Sequence, residues 1–131
     1  MVELSQGGAL RRSARIAAYG GNRESGRVLG AMVAAAFGLA ADQLVSERRG
    51  VADVAFARQV AMYLAHTRLG LPLVAAGGLF RRDRTTARHA CRQVEERRDD
   101  PRVEYLLDCL ERGMDVALDI SRLSPGGRSN G

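Results

Sequence analysis

Residues 72–98, PLVAAGGLFRRDRTTARHACRQVEERR, place a short apolar helix directly before a basic one. Pro72 fits a first helical position, and Leu73, Ala76, Leu79 and Phe80 form a two-turn apolar stripe that ends at Arg81 and Arg82. Asp83 then has the side chain to cap a helix over 84–98, whose inner side is Ala87, Ala90, Cys91 and Val94. Two helices joined by a very tight turn, the second opening with polar and basic residues, make a helix-turn-helix pattern. On the second helix Arg84, Thr85, Arg88 and Arg92 share or border one face that carries no apolar residue. In a major groove, Arg presents two parallel donors to guanine O6 and N7, while Thr brings a hydroxyl and a methyl group.

The flanking segments are helical too. Ser25 is placed to cap a helix on which Leu29, Met32, Val33, Ala36 and Phe37 recur at helical spacing, with Gly38 at its C′ position. Ala40 to Val45 fits a short helical turn, followed by a polar loop, Ser46-Glu47-Arg48-Arg49-Gly50. A long central helix is expected from about Val54 to Leu69, with Phe56, Val60, Tyr63, Leu64 and Thr67 on one face and Gly70 after it. Asp100 and Pro101 start a last helix, with Val103, Leu106, Leu107, Leu110, Met114 and Leu118 inward and Glu104, Asp108, Glu111, Asp115 and Asp119 on its other side. Residues 1–24 read as a flexible arm, 25–123 as one all-helical domain of five to six helices, and 124–131 as a disordered tail.

Composition agrees with this class. The 131 residues suffice for one core, and with 5 % aromatics and no Trp that core must come from Ala, Leu, Val and Met, which suits helices. All twenty basic residues are Arg and the formal net charge is +5. Residues 1–98 carry a net +8 and residues 99–131 a net −3, so a polyanion would be met by the first three quarters of the chain and avoided by the last helix. Cys91 and Cys109 lie in apolar-periodic segments without metal spacing and read as reduced, buried thiols of a cytoplasmic protein. The apolar run from Ala31 to Ala41 is too short to cross a bilayer, and no signal-peptide pattern precedes it. No cofactor, metal, membrane or small-molecule substrate is expected.

Arg82-Asp83-Arg84-Thr85-Thr86-Ala87-Arg88-His89-Ala90-Cys91 resembles the signature of the C-terminal DNA-binding domain of the bacterial replication initiator DnaA. The family pattern there is Arg-Asp-His-Thr-Thr, two variable positions, then His-Ala. Arg58-Gln59-Val60-Ala61-Met62-Tyr63-Leu64-Ala65 is similar to the family's Arg-Gln-Met-Ala-Met-x-Leu-Ala helix, and Ala40 to Arg49 to the segment before it. The likeness covers about Ser25 to Leu123 and implies an all-α, DnaA domain IV-like (TrpR-like) fold that binds double-stranded DNA. It implies a minor-groove contact at Arg49, with Arg48 beside it, and phosphate contacts at Arg58 and Gln59. Base reading is implied at Asp83, Arg84 and Thr85, with neighbouring contacts at Arg82, Thr86 and His89; the helix face adds Arg88 and Arg92.

The sequence departs from the family at Arg84, where the family has His, and at Arg81, which stands alone where the family has two glycines. Glu47 and Asp53 make the basic loop less basic. No GxxxxGK[ST] phosphate loop occurs and the length leaves no room for an ATPase domain, so a reading head without ATPase is expected. Catalysis is the poorest reading: Asp83 with His89, or His66 near Arg68, could be paired on paper, but no nucleophile or metal cluster accompanies them. The rival is a protein-binding module that has lost DNA affinity and holds a partner, or a second copy, through its N-terminal arm or acidic last helix. Within DNA binding, a nucleoid-associated regulator of transcription and a competitor at initiator sites both fit.

Overall fold

Five α-helices make up the computed structural model, which describes residues 22–46 and 52–123. They are α1 (Asn22–Ala36), α2 (Ala52–Thr67), α3 (Leu73–Gly78), α4 (Arg84–Arg97) and α5 (Pro101–Leu123), with a 3₁₀ turn, Ala41–Leu44, between α1 and α2. No strand occurs among the described residues. Residues 1–21 of the expected arm over 1–24, the tail over 124–131 and the loop residues 47–51 lie outside them, while residues 22–24 of that arm belong to the first turn of α1.

Helix α1 already includes Asn22, four residues before the Gly26 at which a Ser25 cap would start it. Ser25 is therefore an interior residue, 5 % exposed, and does not cap. The other end follows the pattern: Gly38 adopts φ +69°, Gly38 N–H donates to Ala35 O and Leu39 N–H to Ala34 O. That pair of bonds closes the helix in a Schellman motif, for which a left-handed C′ residue is required.

Helix α2 is buried around nearly its whole circumference, from Val60 through Ala65, rather than along the single face expected. Alanines at 57, 61 and 65 allow this, since short side chains let α1, α3 and α4 approach from different sides. Leu29 and Val33 of α1, Val94 of α4 and Leu107 and Met114 of α5 complete the core, each fully enclosed. Phe56 extends it at the surface, edge-on to Phe37 and under the guanidinium of Arg97 at 3.9 Å. Cys91 and Cys109 are only half-buried, a correction to the sequence reading, and both are free thiols. Burial and the nearby Glu95 push the Cys91 thiol up.

The α4–α5 junction is tied by Arg98. Its guanidinium donates to Glu104 at 2.7 Å, to Glu111 at 3.0 Å and to Tyr63 Oη at 2.8 Å, while the Tyr63 hydroxyl donates to Glu95 at 2.7 Å. Three helices thus meet at one planar cation whose fork matches two carboxylates. Hydrogen bonds to Glu104 and Glu111 raise the Arg98 pKa, whereas burial and the Glu95 hydrogen bond push the Tyr63 phenol up to about 12. The Tyr63 contribution is therefore complete below the ordinary phenol pKa and is lost as pH rises through about 12.

The turn between α3 and α4 rests on Gly77. A Cβ there would lie 2.8 Å from Arg82 O and 2.9 Å from Asp83 O, both backbone atoms that cannot swing away. Gly77 O also accepts from Phe80 N–H and Arg82 N–H, and Arg81 N–H donates to Gly78 O. This repeats the Schellman pattern, but its left-handed position is Arg81 at φ +60°. Pro72 sits at the N-cap of α3 rather than at its first helical position.

Three substitutions test this turn. Gly77→Ala should cost about 1–3 kcal/mol by thermal unfolding, because backbone must move to admit the methyl group. Gly78→Ala, whose Cβ would meet nothing within 4 Å, should instead be neutral or stabilising by up to about 1 kcal/mol. Arg81→Gly should raise stability by about 0.5–1 kcal/mol, the left-handed strain it relieves exceeding the added chain entropy; a lowered midpoint would contradict that assignment.

Candidate nucleic-acid interface

Asp83 starts α4 by accepting a 2.8 Å hydrogen bond from Thr86 N–H. This bond holds its carboxyl below the usual carboxylate range, and as an N-cap it complements the positive end of the helix dipole. Asp83 makes no ion pair with Arg84, so the Arg84 guanidinium is left for an outside acceptor.

Along α4 the side chains at Arg84, Thr85, Thr86, Arg88, His89 and Arg92 are all exposed, while Ala87, Ala90 and Val94 are buried against α2 and α3. Spacing of three and four residues therefore sorts the helix into a small-residue face that packs and a cationic face that does not. None of Arg84, Arg88 and Arg92 forms an ion pair among the described residues. Arginines near α5 are paired instead: Arg68 with Asp115 at 2.9 Å, Arg98 with Glu104 and Glu111, Arg112 with Asp108 at 3.3 Å. The acidic side of α5 thus neutralises arginines of its own surroundings and none on α4.

Arg58 and Arg82 form a second positive element. Arg58 is 8 % exposed and donates through Nε to Leu44 O at 2.9 Å and through Nη2 to Gln43 O at 3.4 Å. Arg82 donates through Nη2 to Ser46 O at 2.9 Å and through Nη1 to Phe80 O and Arg81 O. Burial, together with the nearby Arg82 charge, lowers the Arg58 pKa below the ordinary guanidinium value. Both cations are held by carbonyl dipoles and by no carboxylate, so their charge stays uncompensated. They fasten the 3₁₀ turn and Ser46, the point where the chain enters the basic loop, to α2 and to the α3–α4 turn.

The structure therefore brings together Arg58, Arg82, Asp83, Arg84, Thr85, Thr86, Arg88, His89 and Arg92 on or beside one turn and one helix face, with Gln59 partly exposed next to Arg58. Arg48 and Arg49 lie outside the described residues. Two further cations belong to the neighbourhood. Arg23 and Arg27, one turn apart on α1, open onto the same cleft as Val45, Leu79 and Phe80. Their signal in the sequence is only a four-residue spacing that straddles the expected end of the arm at residue 24, so the reading from sequence missed them. Among the described residues no group of His, Cys, Asp and Glu could hold a metal, and no helix is long and apolar enough to cross a membrane.

Comparison with curated proteins and with solved structures gives no match. The family description "Bacterial dnaA protein helix-turn-helix" matches residues 28–94, from the second turn of α1 to the last buried residue of α4. That span covers just over half of the chain and contains α3, the turn after it and α4 as far as Val94. An all-helical body, a Gly77-closed turn and a capped basic second helix agree with that match, and the chain belongs to the bacterial DnaA helix-turn-helix family, a DNA-binding domain.

Proposed function

We propose that this protein reads double-stranded DNA sequence-specifically, with α4 in the major groove, and acts as a transcriptional or replication-linked regulator. The observation that carries this reading is the row of exposed arginines on α4, Arg84, Arg88 and Arg92, none of which has a carboxylate partner among the described residues, whereas Arg68, Arg98 and Arg112 are each held by one. Unpaired surface cations keep their full charge for phosphate and base acceptors.

Arg84 and Thr85 stand at the start of the helix, where side chains project toward base edges. Arg88, Arg92 and His89 follow along the groove, and Arg48 and Arg49 supply the minor-groove contact that the family resemblance implies. Arg58 works from beneath: it positions the loop entrance and adds charge under the backbone, with Gln59 beside it. Arg23 and Arg27 extend the positive surface along α1. The regulatory reading is tested by genome-wide immunoprecipitation of the protein with its DNA; binding without a shared motif, or at neither promoters nor the replication origin, would oppose it.

With about six phosphates neutralised, log affinity for duplex DNA should fall against log salt with a slope near −5. Salt-insensitive binding, or none at low salt, would defeat the proposal. Arg58→Ala should weaken all duplexes alike without altering the preferred sequence. It should also lower stability by about 1–3 kcal/mol, since Leu44 O and Gln43 O lose a donor. Arg84 is expected to take a guanine, because its two-donor fork matches O6 and N7 where the family's His offers a single nitrogen. Binding-site selection with the native protein and with Arg84→His should move one position away from guanine, a discrimination of about 1–3 kcal/mol; identical selected sites would refute the role.

A further inference from the structure

Two positions at the α3–α4 turn each hold a residue that is not the most stable one for its backbone. Gly78 lies at the end of α3 without a left-handed φ, and a Cβ there would meet nothing within 4 Å. Alanine would fit and would favour the helix. Arg81 is the reverse case: it holds φ +60°, where glycine is the unstrained residue. Arg81 N–H donates to Gly78 O at 3.2 Å, so the two stand on one turn, and both are exposed. Packing within the fold explains neither choice, and paired costs of this kind point to a contact outside it.

The neighbouring arginines narrow the chemistry of that contact. Arg82 turns its guanidinium inward onto Ser46 O, Phe80 O and Arg81 O, and Arg58 is 8 % exposed and bound to Leu44 O and Gln43 O. Of these three corner cations, Arg81 is the exposed one, and its guanidinium makes no hydrogen bond or ion pair among the described residues. In a helix-turn-helix complex the second helix enters the major groove while the first crosses the sugar–phosphate backbone. The end of α3 and the turn after it then face the strand that borders the groove holding α4.

We propose that Gly78 and Arg81 together form a seat for one phosphate of that strand. Gly78, with no side chain, lets the strand approach the turn, and the Arg81 guanidinium donates to the phosphate oxygens. The contact adds affinity and fixes register without reading a base. It rests on α4 being the groove helix, and it makes the corner a place where the protein gives up stability for DNA affinity.

Salt titration of binding to mixed-sequence duplex DNA, run beside thermal unfolding of the same full-length chains, tests it. Arg81→Gly should raise the melting temperature yet weaken binding, with a slope of log affinity against log salt shallower than the native one by about 0.9. Its deficit in affinity should therefore shrink about 3.5-fold between roughly 50 and 200 mM salt. Gly78→Leu keeps every charge, and it should weaken binding severalfold with the native slope and no loss of melting temperature. Neither variant should change the sequence recovered by binding-site selection. Failure of the native protein to bind duplex DNA overturns this contact together with the groove reading of α4. Native binding with a slope that Arg81→Gly leaves unchanged overturns the contact alone. So does native affinity in Gly78→Leu, a lowered melting temperature in Arg81→Gly, which would assign the guanidinium to a partner within the chain, or an altered selected sequence, which would make Arg81 a base reader.

Discussion

Two arginines held by carbonyl oxygens organise the end of the molecule that faces outward with positive charge. Arg58 takes the carbonyls of Gln43 and Leu44, and Arg82 takes those of Ser46, Phe80 and Arg81. A carboxylate in either place would give a stronger pair, but it would cancel the charge. Carbonyl dipoles satisfy the guanidinium donors and leave the net charge standing, and this suits an interface for a polyanion. The same bonds join three elements distant in sequence: the 3₁₀ turn, the central helix and the helix-turn-helix corner. Position and potential of the loop entrance are thus set together.

The corner itself depends on close approach. Gly77 lets the backbone of Arg82 and Asp83 come within a distance that any side chain would forbid, and α3 and α4 cross at the angle this contact permits. Asp83 then begins α4 at once, with its carboxylate on Thr86 N–H. Arg81 holds the left-handed conformation of this turn at φ +60° and places one more cation at the corner. The direction in which Arg84 and Thr85 leave the surface follows from these three adjoining residues.

Much of this was legible in the sequence, for reasons particular to each element. The α3–α4 pair was readable because small apolar residues at helical spacing, a capping aspartate and an uninterrupted polar face all point the same way. Gly38 and Gly70 were readable as helix ends because both adopt the left-handed conformation that sequence patterns at glycine reflect. The start of α1 was not, since Ser25 has cap chemistry in general but lies buried one turn inside this helix. The role of Arg58 was hidden for a different reason. An arginine bound to backbone carbonyls leaves no partner side chain in the sequence to announce the bond. The fate of the α5 acids was likewise invisible: Glu111 and Asp115 are partners of Arg98 and Arg68, and only the tertiary fold brings those groups together.

Those pairings explain how one basic residue type serves two opposite ends. Every cation in the chain is Arg, so residue choice cannot distinguish a structural charge from a binding one. What distinguishes them is the facing group. On the α5 side carboxylates meet Arg68, Arg98 and Arg112, and for Arg68 and Arg98 the planar fork makes paired hydrogen bonds that tie other elements to α5. On α4 no acid reaches Arg84, Arg88 or Arg92, and on the α2 corner carbonyls take the place of acids. The near-balance of charge across the last helix is therefore a condition for the imbalance elsewhere. By drawing its acids toward its own neighbours, α5 keeps them off α4, and among the described residues the exposed arginines of α4 keep their positive charge free of carboxylates.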